Sequence, residues 1–533
     1  MVKGLFSLLA VLAVPFLLRP KDHLLDDSGE SIVIITPHTE PIRYEFARAF
    51  REHMRQKGRS VWIDWRTPGS SRDIGRFIAS EYATSFASYW KTRLRRPWSG
   101  RVAAAFADPS VKVSPLASSD DEAALARRAF LDSDVGIGID LLFGGGATEM
   151  AVQASAGRLV DAGLLRSHPD LFGESGIPEI AGGKVMWDKE GRWSGTCLTV
   201  FGICHNRDSL ARLGVKKVPA QWSDLADPAY FGQLAIADPS KTGSAATAFE
   251  MVIHQQMNQR ADELREAGSG ADDVEGRARS EGWERAMRLV RRITANARYF
   301  ANAGTQPTLD IAMGDAAAGM CIDFYGRFQS ETAGGGAGRL SFVTPHGGTV
   351  VDTDPIGLFR GAPHRELSIQ FMEFVLSPEG QKLWNFRVGT PGGPRRYALR
   401  RLPILPALYA PAFDAFRSDP GENPYDEARA FIYHPAWTGP LLRTLTFIIR
   451  TTCLDAHDEL ADAYRALFRA GFPPAATALF DDVRLVDYAA AMGPIRRAVS
   501  SGNPVDEAAL SNRLVEATRS QYRAVAAMAR AGE

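Results

Sequence analysis

Thiols are scarce in this chain. Cys197, Cys204, Cys321 and Cys453 are its four cysteines in 533 residues, without a Cys-x-x-Cys and without metal-ligand spacing, which leaves no thiolate metal site and no dithiol redox motif. If Cys197 and Cys204 shared one strand, they would lie roughly 23 Å apart on opposite faces, several times the reach of a disulfide. All four are therefore expected to be buried thiols. Excess charge is missing too. Lys plus Arg and Asp plus Glu number 62 each, so the overall field is weak and gives no electrostatic case for nucleic acid. Neutral balance fits a small-molecule binder as well as an enzyme. The sequence also lacks a Gly-x-Ser-x-Gly elbow, a metalloprotease helix motif, a P-loop, and paired acids with a matching base. Gly136-x-Gly138 is half a dinucleotide fingerprint, but the third glycine is absent and the apolar run continues through it. No cofactor is implied.

What is present is enough apolar residue for several cores, and the length calls for two or three domains. Lys3 precedes an apolar run over residues 5–18, broken by Ser7 and Pro15 and closed by Arg19, Pro20 and Lys21. That length suits a signal-peptide core better than the roughly 20 residues of a spanning helix. Export is the expectation. No small-x-small cleavage site and no lipid-anchoring cysteine follows, so a short retained anchor stands beside a cleaved signal peptide. Residues 1–30 are assigned to this segment and its linker.

Residues 31–36, SIVIIT, read as a strand, and Pro41 opens a helix with Ile42, Phe46, Ala49, Phe50 and Met54 at helical spacing. Residues 61–66, VWIDWR, are a second strand, followed by the loop TPGSS and another helix. This βα rhythm indicates a mostly parallel sheet. Residues 90–121 interrupt it with Lys91, Arg93, Arg95, Arg96 and Arg101 among Trp90, Trp98 and Phe106. A solvated insertion or docking surface explains them better than a nucleic-acid patch. Residues 135–146 are a strand ending in Gly144, Gly145 and Gly146. The apolar run 198–203 reads as one buried strand, and residues 233–237 as another, running into Asp238-Pro239 and then Ser240, Lys241, Thr242, Gly243 and Ser244 before a helix. Such a loop offers free amides, hydroxyls and the positive end of a helix to an anionic group.

Here Gly202, Asn206, Pro219, Trp222, Leu225, Pro228, Tyr230, Gly232, Asp238, Pro239, Ser240, Gly243 and Ser244 resemble the extracellular solute-binding proteins of bacterial ABC importers. The cluster resembled is the iron(III)-type one with its phosphonate, thiamine and sugar-phosphate relatives, and the likeness runs from about Ser31 to about Pro406. It implies an α/β, two-lobed type 2 periplasmic-binding-protein fold with two interlobe crossings. On that basis residues 31–146 and 307–406 form lobe 1 and residues 147–306 lobe 2. Residues 407–533 are a helical C-terminal extension, with repeats at Leu460, Ala463, Tyr464, Leu467 and Phe468, expected to pack on the first lobe.

The resemblance implies that five loops meet at one cleft, bringing Thr36 and His38, Ser70 and Ser71 beside Gly69, Gly145 and Gly146, Ser240, Thr242, Gly243 and Ser244, and Asp323 and Tyr325. Each has a plain structural alternative: a helix cap for His38 and Ser240, a polar turn for Ser70 and Ser71, a bare turn for the glycines, an exposed strand end for Asp323 and Tyr325. On a strand, Asp323 and Tyr325 would share a face. His38, Asp323 and Tyr325 would be the ligands if ferric ion were the cargo. However, Phe324 stands where iron binders of the family carry the first of two tyrosines, and hydroxyls with glycine amides suit a phosphate, phosphonate or carboxylate better. Asp352 and Asp354 are weaker candidates, read as solvated loop carboxylates. The expected role is binding rather than catalysis. The protein would be periplasmic and monomeric, with a small-molecule or metal ligand and an ABC permease as its partners. A hydrolase or transferase on a phosphorylated substrate, and a membrane-tethered sensor, are the alternatives.

Overall fold

A computed structural model describes residues 29–113, 121–332 and 338–531, so the apolar segment read as a signal peptide or anchor lies outside the described residues. Among those residues no helix is long and apolar enough to cross a membrane. The chain runs through β1 (Glu30–Ile35), α1 (Glu40–Gln56), β2 (Val61–Arg66), α2 (Ser71–Thr92), β3 (Leu141–Phe143), β4 (Leu159–Val160), the hairpin β5 (Ile180–Ala181) and β6 (Lys184–Val185), and β7 (Trp193–Thr199). It continues through β8 (Phe201–Asn206), β9 (Leu234–Ala237), α3 (Gly243–Glu266), α4 (Ala271–Ala295), β10 (Ala297–Ala301), β11 (Ala318–Ile322), α5 (Asp323–Thr332) and β12 (Leu340–Val343). Finally come β13 (Asp352–Phe359), β14 (Leu402–Pro403) and a run of helices ending with α6 (Pro504–Ala531).

Two sheets define two lobes. The first has the order β14-β7-β13-β3-β1-β2, with β4 on β13, and the second β10-β9-β11-β8-β12. β1 pairs in parallel with β2 and with β3, and the intervening α1 starts beside Pro41 and buries Ile42, Phe46, Ala49, Phe50 and Met54 on one face, as a parallel crossover requires. Residues 90–106 are no solvated insertion. Trp90 and Phe106 are buried with Phe86 and Phe130 in the core of lobe 1, and Trp98 packs against them.

The sheets draw the lobe boundaries elsewhere than expected. Residues 147–199 stay with lobe 1, because β7 pairs antiparallel with β13, whereas β11 and β12 pair with β8 in lobe 2. The run 198–203 is not one strand: it splits at Val200, and a single residue carries the chain from β7 in one sheet to β8 in the other. Both strands are wholly buried, so no exposed residue marks the break, and Thr199 beside it is buried as well. Cys197 and Cys204 thus sit in different sheets, and all four cysteines are free and buried. The second crossing is the stretch 344–351 between β12 and β13.

The extension provides a third passage. Leu408 and Ala428 belong to the core of lobe 1, while from Phe431 onward the buried residues join the core of lobe 2. The extension therefore packs mainly on the second lobe, not the first. The reason is the outer face of α4, where Trp283, Ala286, Met287 and Val290 are buried. Trp283 Nε1 donates to the Val486 carbonyl at 2.8 Å, Arg291 Nη1 to the Phe480 carbonyl at 2.6 Å, and the Tyr464 hydroxyl to the Ala226 carbonyl at 2.6 Å. Trp283→Ala is expected to destabilise the protein by about 3–5 kcal/mol, the cost of a large cavity, read by urea unfolding. A loss below about 1 kcal/mol would contradict integration of the extension into this core.

Candidate functional site

The β1–α1 and β3–helix connections of lobe 1 meet at His38. Thr36 Oγ1 donates to the Phe143 carbonyl at 2.6 Å and accepts the His38 amide at 3.0 Å, which fixes the loop that carries the imidazole. The ring lies edge-on to Phe143 with centroids 4.6 Å apart. Gly144 has φ +89°, and a methyl group there would come within 2.7 Å of His38 Nε2, so glycine is needed both for the backbone and for the room. His38 does not cap α1: the cap position is Thr39, with no side-chain cap bond. Burial lowers the His38 pKa to about 4, against the opposing pull of Asp354, so the ring is neutral at pH 7. Its Nε2 is buried without a hydrogen-bond partner.

Asp354, expected to be solvated, is instead half of a buried ion pair. Its Oδ1 accepts the Gly146 amide at 2.9 Å, its Oδ2 accepts Arg401 Nη1 at 2.7 Å, and that same Oδ2 lies 4.0 Å from His38 Nδ1. Burial opposes ionisation of Asp354, but the Arg401 guanidinium outweighs it and holds the carboxyl below its ordinary value. Gly145 faces Ser71, whose Oγ would be 3.6 Å from a methyl group on Gly145. Ser70 turns away: it accepts from the Asp73 amide and donates to Asp73 Oδ2 in a capping box that starts α2.

In lobe 2 the 24-residue helix α3 begins at Gly243, and its cap residue Thr242 makes no side-chain cap bond, so its first-turn amides remain open to a ligand. Thr242 and Ser244 meet Tyr325 around Gly304. A methyl group on Gly304 would lie 2.8 Å from Ser244 Oγ, 3.9 Å from Thr242 Cβ and 4.0 Å from Tyr325 Cε2. Ser240 is not in this set, because both its amide and its hydroxyl donate to Asp238 Oδ1.

Asp323 and Tyr325 do not alternate on a strand. β11 ends at Ile322 and Asp323 opens α5, so two residues of helix turn the two side chains to different directions. Asp323 lies at the first crossing, its amide donating to the Val200 carbonyl at 3.0 Å. It is fully buried, and neither carboxylate oxygen has a hydrogen-bond partner, although Arg327 Nε stands 4.0 Å away. Burial raises its pKa to about 7, against the opposing charges of Arg327 and Arg401. Burial raises the Tyr325 hydroxyl too.

The two halves are joined by a residue absent from every expected constellation. Arg401, 2% exposed, reaches from lobe 1 to place its guanidinium carbon 4.4 Å from the Phe324 ring centroid in lobe 2, and Phe324 lies 4.3 Å from the Tyr325 ring. The sequence held one usable sign of it, the Arg400-Arg401 pair set directly against the apolar Leu402-Pro403-Ile404-Leu405. Among the described residues, no group of three or more His, Cys, Asp or Glu is arranged to hold a metal ion.

Residues 144–392 match the family model for bacterial extracellular solute-binding proteins. The match covers a little under half of the chain, and it is a likeness of that segment to the bacterial extracellular solute-binding family. An uncharacterized protein of Haemophilus influenzae is 27% identical over 184 residues, covering 34% of this chain and 45% of that protein; the chain thus spans less than half the length of that relative. Among solved structures, the periplasmic binding protein AfuA of Actinobacillus pleuropneumoniae, with fructose-6-phosphate bound, is 18% identical, with TM-score 0.42 over 67% of this chain and 81% of its own. Iron-bound HitA of Pseudomonas aeruginosa is 14% identical, with TM-score 0.45 over 78% and 98%.

The titration of Asp323 offers a check. A carboxyl whose folded pKa exceeds its unfolded value contributes stability that is complete below the unfolded pKa and lost as pH rises through about 7. His38, with a lowered pKa, acts in the opposite sense: its contribution is present above about pH 6.5 and lost as pH falls toward about 4. Asp323→Asn removes only the first. The variant's stability relative to the parent is expected to rise by up to about 1.4 kcal/mol per pH unit between about pH 5 and 7, measured by urea unfolding across that range. Parallel curves for variant and parent would contradict it.

Proposed function

We propose that this solute-binding protein captures a small polar or anionic solute between its lobes for an ABC importer, in the periplasm. The observation that supports this most is the pairing of unsatisfied buried groups from both sides of one junction. His38 Nε2 in lobe 1 and the Asp323 carboxylate in lobe 2 lack partners, with the Arg401–Phe324 contact between them. Buried polar atoms left unpaired cost about 1–3 kcal/mol each, so a solute that supplies hydrogen bonds to both lobes favours the closed arrangement over any other. The Gly243–Ala245 region adds amides and the positive end of α3, which suit a phosphate, phosphonate or carboxylate. A hydroxyl or amine of the same solute then serves Asp323.

Ligand-binding roles are proposed for His38, Ser71, Gly145, Thr242, Gly243, Ser244, Asp323 and Tyr325, and indirect support for Thr36 and Gly146, whose hydrogen-bonding groups are already engaged within lobe 1. Ser70 and Ser240 are left to their turns. Family members are binding proteins, and no covalent step is needed here. The permease partner reads closure, and the receptor works as a monomer.

Calorimetric titration with phosphorylated compounds, phosphonates and polyols is expected to give one saturable site. Ser244→Ala should weaken that binding about tenfold, the loss of one hydrogen bond to a charged acceptor, with little change in the unfolding midpoint. Heat from no compound in the set, or full affinity in the variant, would contradict the proposal.

A further inference from the structure

Arg401 has a place in the site that no expected role accounts for. Its guanidinium reaches both halves of the site: it shares Asp354 Oδ2 with His38, at 2.7 Å from Arg401 Nη1 and 4.0 Å from His38 Nδ1, and it lies 4.4 Å from the ring of Phe324, which stands between Asp323 and Tyr325 in the chain. It is anchored from below by Asp354 at 2.7 Å and lies against two aromatic faces, Phe324 at 4.4 Å and Trp384 at 5.7 Å. An aromatic face attracts a guanidinium, and burial strengthens the attraction. Phe324 therefore has a physical use without a hydroxyl: it is the seat of a resident organic cation.

We infer that Arg401 sets the charge class of the solute. Its guanidinium takes the electrostatic position a metal cation would hold, so the junction accepts oxygen-rich neutral or anionic solutes and turns away free ferric ion. Three features support the assignment. A guanidinium stays charged at any physiological pH, so the exclusion cannot be titrated away. Repulsion between a trivalent ion and a fixed charge a few ångströms off exceeds thermal energy several-fold even in a strongly screening medium. The Asp354 carboxylate is already committed to Arg401 and to the Gly146 amide, one hydrogen bond to each oxygen, and its charge is offset by the guanidinium rather than available to a metal ion.

The inference rests on the binding reading of the same junction, but its test reads metal rather than solute. Full-length protein is titrated with ferric nitrilotriacetate while the visible tyrosinate-to-iron absorption is followed. Wild-type protein is expected to show no band. Arg401→Gln removes the cation and frees Asp354 beside His38, and should gain the band with at least about tenfold tighter iron binding, whereas Arg401→Lys keeps the charge and should not. Should Arg401→Gln fail to fold, the double variant Arg401→Met with Asp354→Asn removes the cation without stranding its partner and should also gain iron over wild type. A band in the wild-type protein, or folded charge-free variants with no gain in iron binding, would overturn the inference. Silence of the solute panel would instead overturn the binding reading alone.

Discussion

The ion pair between Asp354 and Arg401 is the constraint on which the rest of the molecule turns. Two charges taken out of water are tolerable only when each is held by the other and by further hydrogen bonds. Asp354 meets that condition through the Gly146 amide, whereas Arg401 lies against the faces of Phe324 and Trp384 with its Nε buried and without a hydrogen-bond partner. The pair accordingly ties together β13, the glycine loop after β3, the residue before β14, and, across the junction, the start of α5. Since α5 begins beside Val200, where the chain changes sheets, the pair sits at the passage between the two lobes.

The extension adds a second tether on the same side. Arg327 of α5 pairs with Asp419 at 3.2 Å and with Glu422 at 2.9 Å, while Asp419 is also held in lobe 1 by Arg400 at 2.5 Å and Asn385 at 3.0 Å. Beyond it, the Tyr433 amide donates to Gly182 of lobe 1 and its hydroxyl to Glu250 of α3. A hinge with two crossings has gained a third strap, anchored to both lobes by buried polar bonds.

Much of this was legible in the sequence, and the failures have identifiable causes. The alternation of strands with helices from Glu30 to Thr92 was readable, because Pro41 and the spacing of Ile42, Phe46 and Phe50 carry local information. The split at Val200 was not, since two fully buried strands placed end to end look like one apolar run. The helices of the extension announced an apolar face through Leu460, Tyr464 and Leu467, but amphipathicity says that a face is covered, not which lobe covers it. Ser70 and Ser240 were plausible ligands by residue type and proved to be occupied by Asp73 and Asp238, the local bonding that Ser and Asp favour in turns. Arg401 was missed because its role exists only in three dimensions.

The central claim is that one solute is gripped from both lobes at once. Amide hydrogen exchange tests it most directly, comparing the protein alone with the protein saturated by whichever solute of the calorimetric panel binds. The account predicts that the amides of Gly145 on lobe 1 and of Gly243 and Ser244 on lobe 2 slow together, along with the start of α5 at the junction. Slowing confined to one lobe, or absent at saturation, would contradict it.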